Sequence, residues 1–576
     1  MSITSRKDGA ATVAGTGHDR PWRRPGRAAY ARNRIRGILR PPVTVHEVEP
    51  SVVVSELNQE VVTRDGVTLR VNVFRPAGAG RVPAILAAHP YGKDDLPTQG
   101  RGGRWRYSPQ YRILRQAGPV EFSALTTWEA PDPAWWTAQG YAVVNCDLRG
   151  AGASDGTGAL LSAQEGEDMH DLIEWAAAQD WCTGSVGMLG VSYLALSQWR
   201  AASTQPPSLR AIAPWEGFTN AYRGLLRPGG VLEVGFIRVW SLGLRKTRQA
   251  YSLRDESVAR PVIDDWWNSL DPDLTKVDVP ALICGSFSDN NLHSRGSFAG
   301  FEKISSTEKH LHTHRGGKWS EFYSDDGRAA QLQFFDRHLR GLDVPVLPPV
   351  RLEVRDRGDR VVEVRDEQEW PLARTVWTPR YLIGNGLAGS PATAAGAIAF
   401  GLRRGAVYFD WTVPDDLELT GPMALRLFVS LHGTDDADLV VGVEKWDGNT
   451  YVPFEGSYGY GRDRIAVGWQ NVALRDLDPA QSRSFQPVPA CLARRPVRDG
   501  EVVPVEVALG ASSTLFHAGE RLRLVVAGRW LSPLNPITGG FPAAYRTRKK
   551  GTCTLHWGPE HEARLLLPAI PGSDAT

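Results

Sequence analysis

Cysteine is scarce in this chain. Five residues, Cys146, Cys182, Cys284, Cys491 and Cys553, are scattered over 576 positions. An odd number at such spacing excludes a disulfide-built scaffold and the paired ligands of a zinc site, so no metal is expected. Cys146, Cys284 and Cys491 stand in apolar surroundings and read as small buried hydrophobes rather than reactive thiols. Long apolar runs are also missing. No stretch approaches the roughly 18 residues of a membrane helix, and the opening Met1-Ser-Ile-Thr-Ser-Arg-Lys has no apolar segment of a secretory signal behind it. A cytoplasmic location with no membrane partner is the expectation. Charge of one sign is lacking too: 66 Lys and Arg against 64 Asp and Glu leave +2, which predicts no strong field for nucleic acid. The basic surplus is local, in Arg23, Arg24, Arg27, Arg32, Arg34 and Arg36. It marks residues 1–45 as a flexible arm, suited to pack on a second subunit of a homo-oligomer.

The composition that remains, 42% hydrophobic and 23% charged, is that of a globular enzyme, and the length predicts two domains. Glu60-Val-Val-Thr-Arg-Asp-Gly-Val-Thr-Leu-Arg-Val alternates as two strands joined at Asp65-Gly66. Val82-Pro-Ala-Ile-Leu-Ala-Ala-His and Tyr141-Ala-Val-Val-Asn-Cys-Asp are continuous apolar runs, the pattern of parallel strands buried on both faces. Helical spacing over 167–181, a short strand at Val186-Gly-Met-Leu-Gly and a helix from Tyr193 continue the strand and helix alternation. The fold class is therefore α/β for residues 46–345, with a helical cap inserted at about 222–274. Past the Gly341-Leu-Asp-Val-Pro linker, strands separated by Gly, Pro and Asp turns predict an all-β sandwich of jelly-roll type over 346–576.

Gly187-Met-Leu-Gly190-Val-Ser192-Tyr-Leu places a serine between a buried strand and a helix. A nucleophile elbow needs that context, because the tight turn aims the hydroxyl at the helix N-terminus. The second glycine of G-x-S-x-G is missing, since Leu194 stands there. A serine nucleophile needs a base and an orienting acid, supplied by later strand ends in the order acid, then histidine. Asp289 follows the strand Ala281-Leu-Ile-Cys-Gly, and His314 ends Lys309-His-Leu-His-Thr-His. His314 is taken as the general base, with His310, His312 and His293 as alternatives. The Tyr193 amide is the first oxyanion donor by geometry. The second belongs to the loop His89-Pro-Tyr91-Gly-Lys-Asp-Asp, as a backbone amide or the Tyr91 hydroxyl.

Together, His89-Pro-Tyr-Gly-Lys-Asp-Asp, Asp147-Leu-Arg-Gly-Ala-Gly-Ala-Ser-Asp-Gly, Trp181 through Leu194 and Gly285-Ser-Phe-Ser-Asp resemble the CocE/NonD family of acyl hydrolases over about residues 55–570. That family includes cocaine esterase, α-amino-acid ester hydrolases and X-Pro dipeptidyl-peptidases. The resemblance implies an α/β-hydrolase domain with a helical cap and a C-terminal jelly roll. It also implies Ser192 as nucleophile, Asp289 as acid, the Tyr91 hydroxyl and Tyr193 amide as oxyanion donors, and no cofactor. The chain departs from the family pattern twice. Ala195 replaces a glycine after the nucleophile, and Thr313-His314-Arg315-Gly-Gly-Lys-Trp319 replaces a Gly-Pro-Trp strand end. Twenty tryptophans suggest aromatic pocket walls, with Trp128, Trp215, Phe287 and Trp319 as candidates for a bulky acyl group of a small ester or amide. Leu194 and Ala195 beside the nucleophile favour a neutral ester. A peptidase or amidase would want a carboxylate for the substrate ammonium, for which Glu216 is a candidate, and an acyltransferase would use the same triad.

Overall fold

The computed structural model describes residues 32, 35–36, 39–113, 119–358, 360–454, 456, 463–532, 543–547 and 550–572. Eight strands build the sheet that carries the site: β1 (Val53–Val62), β2 (Thr68–Pro76), β3 (Val82–His89), β4 (Ala142–Asp147), β5 (Cys182–Val191), β6 (Leu209–Trp215), β7 (Ala281–Ser286) and β8 (Lys309–His314). Their spatial order is β1-β2-β4-β3-β5-β6-β7-β8. The first two contacts are antiparallel and the other five parallel, the order expected of an α/β-hydrolase sheet. The middle strands are apolar throughout because both faces are covered: β4 is buried at all six positions, as are the six residues of β7.

Helices cover those faces, and side chains cap the N-termini of three of them, those beginning at Pro133, Ala163 and Asp325. α1 (Pro133–Ala138) begins with proline at its first position and the Asp132 carboxylate accepting from the Ala134 amide. Ser162 caps α2 (Ala163–Ala177) in the same manner, through the Glu165 amide. α3 (Tyr193–Ala202) follows β5 and is buried along its whole length. The segment between β6 and β7 carries the short helices Phe236–Gly243, Leu253–Ala259 and Asp265–Ser269. α4 (Ser294–Lys303) precedes β8, and α5 (Lys318–Phe322) and α6 (Asp325–Arg340) follow it. Gly341, in the left-handed region at φ +66°, ends α6.

Past α6, the single helical turn among the described residues is Val472–Leu474. β9 (Val350–Arg357) adds to β8 in parallel and meets the C-terminal region through Arg355 opposite Thr514. There β10 (Leu417–His432) pairs antiparallel with β11 (Val503–Phe516) and β12 (Arg564–Ile570), over a core that includes Leu425, Val429, Val441, Val505, Phe516 and Leu565. Arg315, directly after β8, is 1% exposed and ties the two regions. Its Nε donates to Ser288 Oγ at 3.1 Å, Nη1 to Thr514 Oγ1 at 3.0 Å and Nη2 to the Arg464 carbonyl at 2.7 Å. Its guanidinium carbon lies 3.9 Å from the Phe454 ring centre.

Arg23, Arg24, Arg27 and Arg34 of the expected arm lie outside the described residues. Its end is a strand, Val43–His46, paired in parallel with Val120–Ser123. All five cysteines are buried and unpaired. No helix among the described residues is long and apolar enough to cross a membrane.

Candidate active site

The turn from β5 into α3 is a tight elbow. Ser192 sits at φ 60° and ψ −115°, a strained conformation for a non-glycine residue that persists only where neighbours enforce it. They do so through two backbone hydrogen bonds: the Ser192 amide donates to the Trp215 carbonyl at 3.1 Å, and the Val191 amide to the Glu129 carbonyl at 3.1 Å. Gly190 is required by close approach, since a Cβ there would lie 2.4 Å from that of Leu194. Leu194, which stands where the second glycine of the motif would be, thus occupies the space that Gly190 leaves open. Ala195 is accommodated similarly by Gly217, just past β6.

Asp289 and His293 come from one loop between β7 and α4. The amides of Leu292 and Ser294 both donate to the Asp289 carbonyl at 3.1 Å, and this turn folds the imidazole back over its own carboxylate. His293 Nδ1 is 2.6 Å from Asp289 Oδ2, and its Nε2 is 3.3 Å from Ser192 Oγ. The Phe218 ring stacks on the imidazole, 6.1 Å between centres. The His293 and Asp289 side chains are withdrawn from solvent, 2% and 1% exposed, while Ser192 is half-buried.

The structure does not bring His314 to Ser192, which corrects the choice made from strand order. His314 ends β8 in register with Ser286, but its Nε2 lies 3.0 Å from Glu216 Oε1 and its Nδ1 accepts from the Gly316 amide at 3.2 Å. Both ring nitrogens are engaged away from the nucleophile. His312 pairs with Glu321 at 3.0 Å and His310 with the Pro348 carbonyl at 3.0 Å. The fully buried Trp215 and Phe287 are core fillers rather than pocket walls. Trp215 packs on His312 and Phe322, and Phe287 on Phe298 and Trp370. Trp128 and Trp319 pack with their rings tilted at 40°, 4.8 Å between centres, with Tyr111 edge-on 4.7 Å from Trp128. Trp128 and Trp319 directly adjoin Glu129 and Lys318 in the chain, and Lys318 Nζ lies 5.8 Å from the Trp319 ring centre. A cavity of about 890 Å³, lined by Thr219, Arg295, Phe298, Trp469 and Leu509 among others, opens between α4 and the C-terminal region without reaching Ser192 or His293.

Two ionisable groups near Ser192 and His293 escaped the sequence reading. Lys318, at the start of α5, is fully buried. Its Nζ lies 2.9 Å from Asp289 Oδ2, 2.7 Å from His293 Nδ1 and 3.6 Å from Glu216 Oε2. Burial opposes ionisation of Asp289, yet Lys318 and His293 overcome it and hold the carboxyl below the ordinary range. Burial and then the Lys318 charge push the His293 imidazole down. Glu129, 4% exposed and at φ 66°, is the second. Burial pushes its carboxyl up to about 8, against the pull of Lys318 and of a hydrogen bond with the Ser192 hydroxyl, and its Oε2 has no hydrogen-bond partner. Glu129 follows a tryptophan in a loop and carries no motif. The Asp289-x-x-x-His293 spacing was the available signal for the imidazole that reaches Ser192.

Tyr193 opens α3, so its amide is among the helix's first-turn N–H groups that lack intrahelical partners. Its hydroxyl donates to Glu165 Oε2 at 2.6 Å. The Tyr91 ring meets that of Tyr193 edge-on at 6.4 Å, and its hydroxyl accepts from Trp240 Nε1 at 3.2 Å. Burial raises the Tyr91 phenol well above its ordinary range, leaving it a neutral donor.

Two family models match the chain. One describes the X-Pro dipeptidyl-peptidase S15 family, over residues 65–260, and the other the C-terminal non-catalytic domain of X-Pro dipeptidyl-peptidase, over 343–566. Cocaine esterase from Rhodococcus sp. (strain MB1 Bresler) is 26% identical, across 89% of this chain and 98% of that protein. A crystal structure of a CocE/NonD family hydrolase from Staphylococcus aureus superposes with a TM-score of 0.84 at 34% identity, covering 90% of this chain and 94% of that one. An aminopeptidase from a marine sediment Thaumarchaeota archaeon shares the fold, with a TM-score of 0.69 at 17% identity and 90% and 97% coverage.

Proposed function

The chain belongs to the CocE/NonD family of hydrolases, and we propose that it cleaves a small-molecule acyl ester through a covalent acyl-serine on Ser192, as a cytoplasmic enzyme. The observation that carries this reading is the continuous contact of Ser192 Oγ, His293 and Asp289 at 3.3 and 2.6 Å. In this reading Ser192 Oγ attacks the substrate carbonyl while His293 Nε2 takes its proton, and Asp289 accepts from Nδ1–H and stabilises the imidazolium. The Tyr193 amide and the Tyr91 hydroxyl face the oxyanion. The tetrahedral adduct collapses, the alcohol leaves with the proton from His293, and water repeats the sequence on the acyl-enzyme to release the acid. No cofactor enters. Residues 46–345 serve as the catalytic domain, and 346–576, read as a jelly roll, as its partner.

Glu129 favours a second reading. A buried carboxyl beside the nucleophile, with one oxygen lacking a partner, suits the ammonium of an aminoacyl ester or anilide. The deciding experiment is burst-phase hydrolysis of nitrophenyl esters and of aminoacyl and X-Pro anilides by the wild type, Ser192→Ala and His293→Ala. Ester turnover lost in both variants supports the esterase, anilide preference moves the answer to a peptidase, and activity surviving Ser192→Ala overturns both.

A further inference from the structure

His293 Nδ1 faces two groups that make opposite demands. Asp289 Oδ2 at 2.6 Å asks it to donate, whereas the Lys318 ammonium at 2.7 Å can only donate to it. One ring nitrogen satisfies one of them. The neutral imidazole with Nδ1–H on Asp289 leaves the Nε2 lone pair for Ser192. An imidazolium would add a second full positive charge 2.7 Å from the ammonium.

From this geometry we propose that Lys318 is a positioning residue that keeps His293 an unprotonated base at rest, by supplying the positive charge that Asp289 would otherwise draw from the imidazole. The inference rests on His293 being the base. The charged and polar groups facing the ring are Asp289 on its own loop, Lys318 from α5, Glu216 from the turn after β6 and Ser192 from the elbow, and Glu129 from the loop before α1 acts on Lys318 and Ser192 in turn. Without Lys318, His293 is the cation left in hydrogen-bond contact with the buried Asp289 carboxylate among the described residues, so the pair rests as an ion pair up to a higher pH before Nε2 is free for Ser192. Glu216 completes the device. Its Oε1 is held by His314, and its Oε2 lies 3.6 Å from Lys318 Nζ. It offers the ammonium a second carboxylate to lean on when His293 takes the serine proton.

The test is the pH profile of kcat/KM on a nitrophenyl ester for the wild type, Lys318→Met, Lys318→Arg and Glu216→Gln, with folding checked by circular dichroism. In Lys318→Met the acid limb moves to higher pH by about one unit or more, while turnover on the alkaline plateau is largely kept. Lys318→Arg, which retains the charge, moves it less. In Glu216→Gln, where a negative charge is removed and the ammonium is left to Asp289, the limb moves to lower pH. A structural lesion does not produce these opposite displacements. An unmoved limb in folded Lys318→Met overturns the proposal. If that variant does not fold, an unmoved or raised limb in Glu216→Gln does so. Activity retained by His293→Ala would instead overturn the underlying triad.

Discussion

Ala195 and Gly217 share one space: a Cβ on Gly217 would stand 2.7 Å from the Ala195 Cβ. The methyl of α3 sits over the bare backbone that follows β6. Gly217→Ala is expected to cost about 1–3 kcal/mol through overpacking, and Ala195→Gly about 0.5–1 kcal/mol as a helical glycine. The double exchange should recover part of the Gly217→Ala loss, measured as a coupling energy in urea denaturation. Simple additivity would show that the two do not share the space.

His293 and His314 should separate cleanly in kinetics. His293→Ala is expected to lower kcat by about 10⁴-fold or more. His314→Ala leaves Glu216 buried without its imidazole partner, so its effect falls on stability, about 3–5 kcal/mol. Its labelling by a serine-directed phosphonate should persist. Loss of labelling in folded His314→Ala would return that residue to the chemistry.

Glu129 links stability to pH. Its carboxyl titrates near 8 when folded, against about 4.3 in an unfolded chain. Folding therefore takes up a proton in that window, and stability declines as pH rises from the unfolded to the folded value. Glu129→Gln removes this dependence. Its melting temperature should gain on the wild type progressively between pH 5 and 8 and then stay level, and a constant difference would refute the assignment.

Tyr91→Phe removes the hydroxyl proposed above as an oxyanion donor. A loss of about 10²–10³ in kcat with KM little changed is expected, and a change confined to KM would instead place the hydroxyl on the ground-state substrate.

Arg315→Met strips the hydrogen bonds to Ser288, Thr514 and the Arg464 carbonyl. A loss of about 2–4 kcal/mol is expected in thermal unfolding, together with lower activity, because Ser288 adjoins Asp289. Unchanged melting would show that Phe454 and the strand contacts suffice.

Much of this was legible because it depends on patterns with a period. The buried runs of β3 and β4 and the glycine, serine and helix sequence of the elbow are local, and each determines its own structure. The histidine that meets Ser192 was not legible in that way. Strand order favoured His314, but Glu216, 98 positions earlier, claims its Nε2, and no local signal announces a partner so distant in the chain. His293 reaches Ser192 because a four-residue turn folds it over Asp289. That turn geometry left only a spacing in the sequence. Lys318 and Glu129 are harder still, since their chemistry comes from burial among groups contributed by separate loops. Aromatic richness was misread at Trp215 and Phe287 because a core and a pocket wall call for the same side chains.

The strand β9 extends the sheet that carries Ser192 and also meets β11 where Arg355 stands opposite Thr514, so strand pairing passes from one half of the chain to the other. Heat should then find no weak seam: calorimetry would record one cooperative melting event, and protection from amide exchange would run unbroken from β8 into the C-terminal strands. A chain cut at the linker would expose the edge of β9 along with the polar groups that Arg315 now satisfies. Each half on its own would face aggregation before any question of catalysis arose.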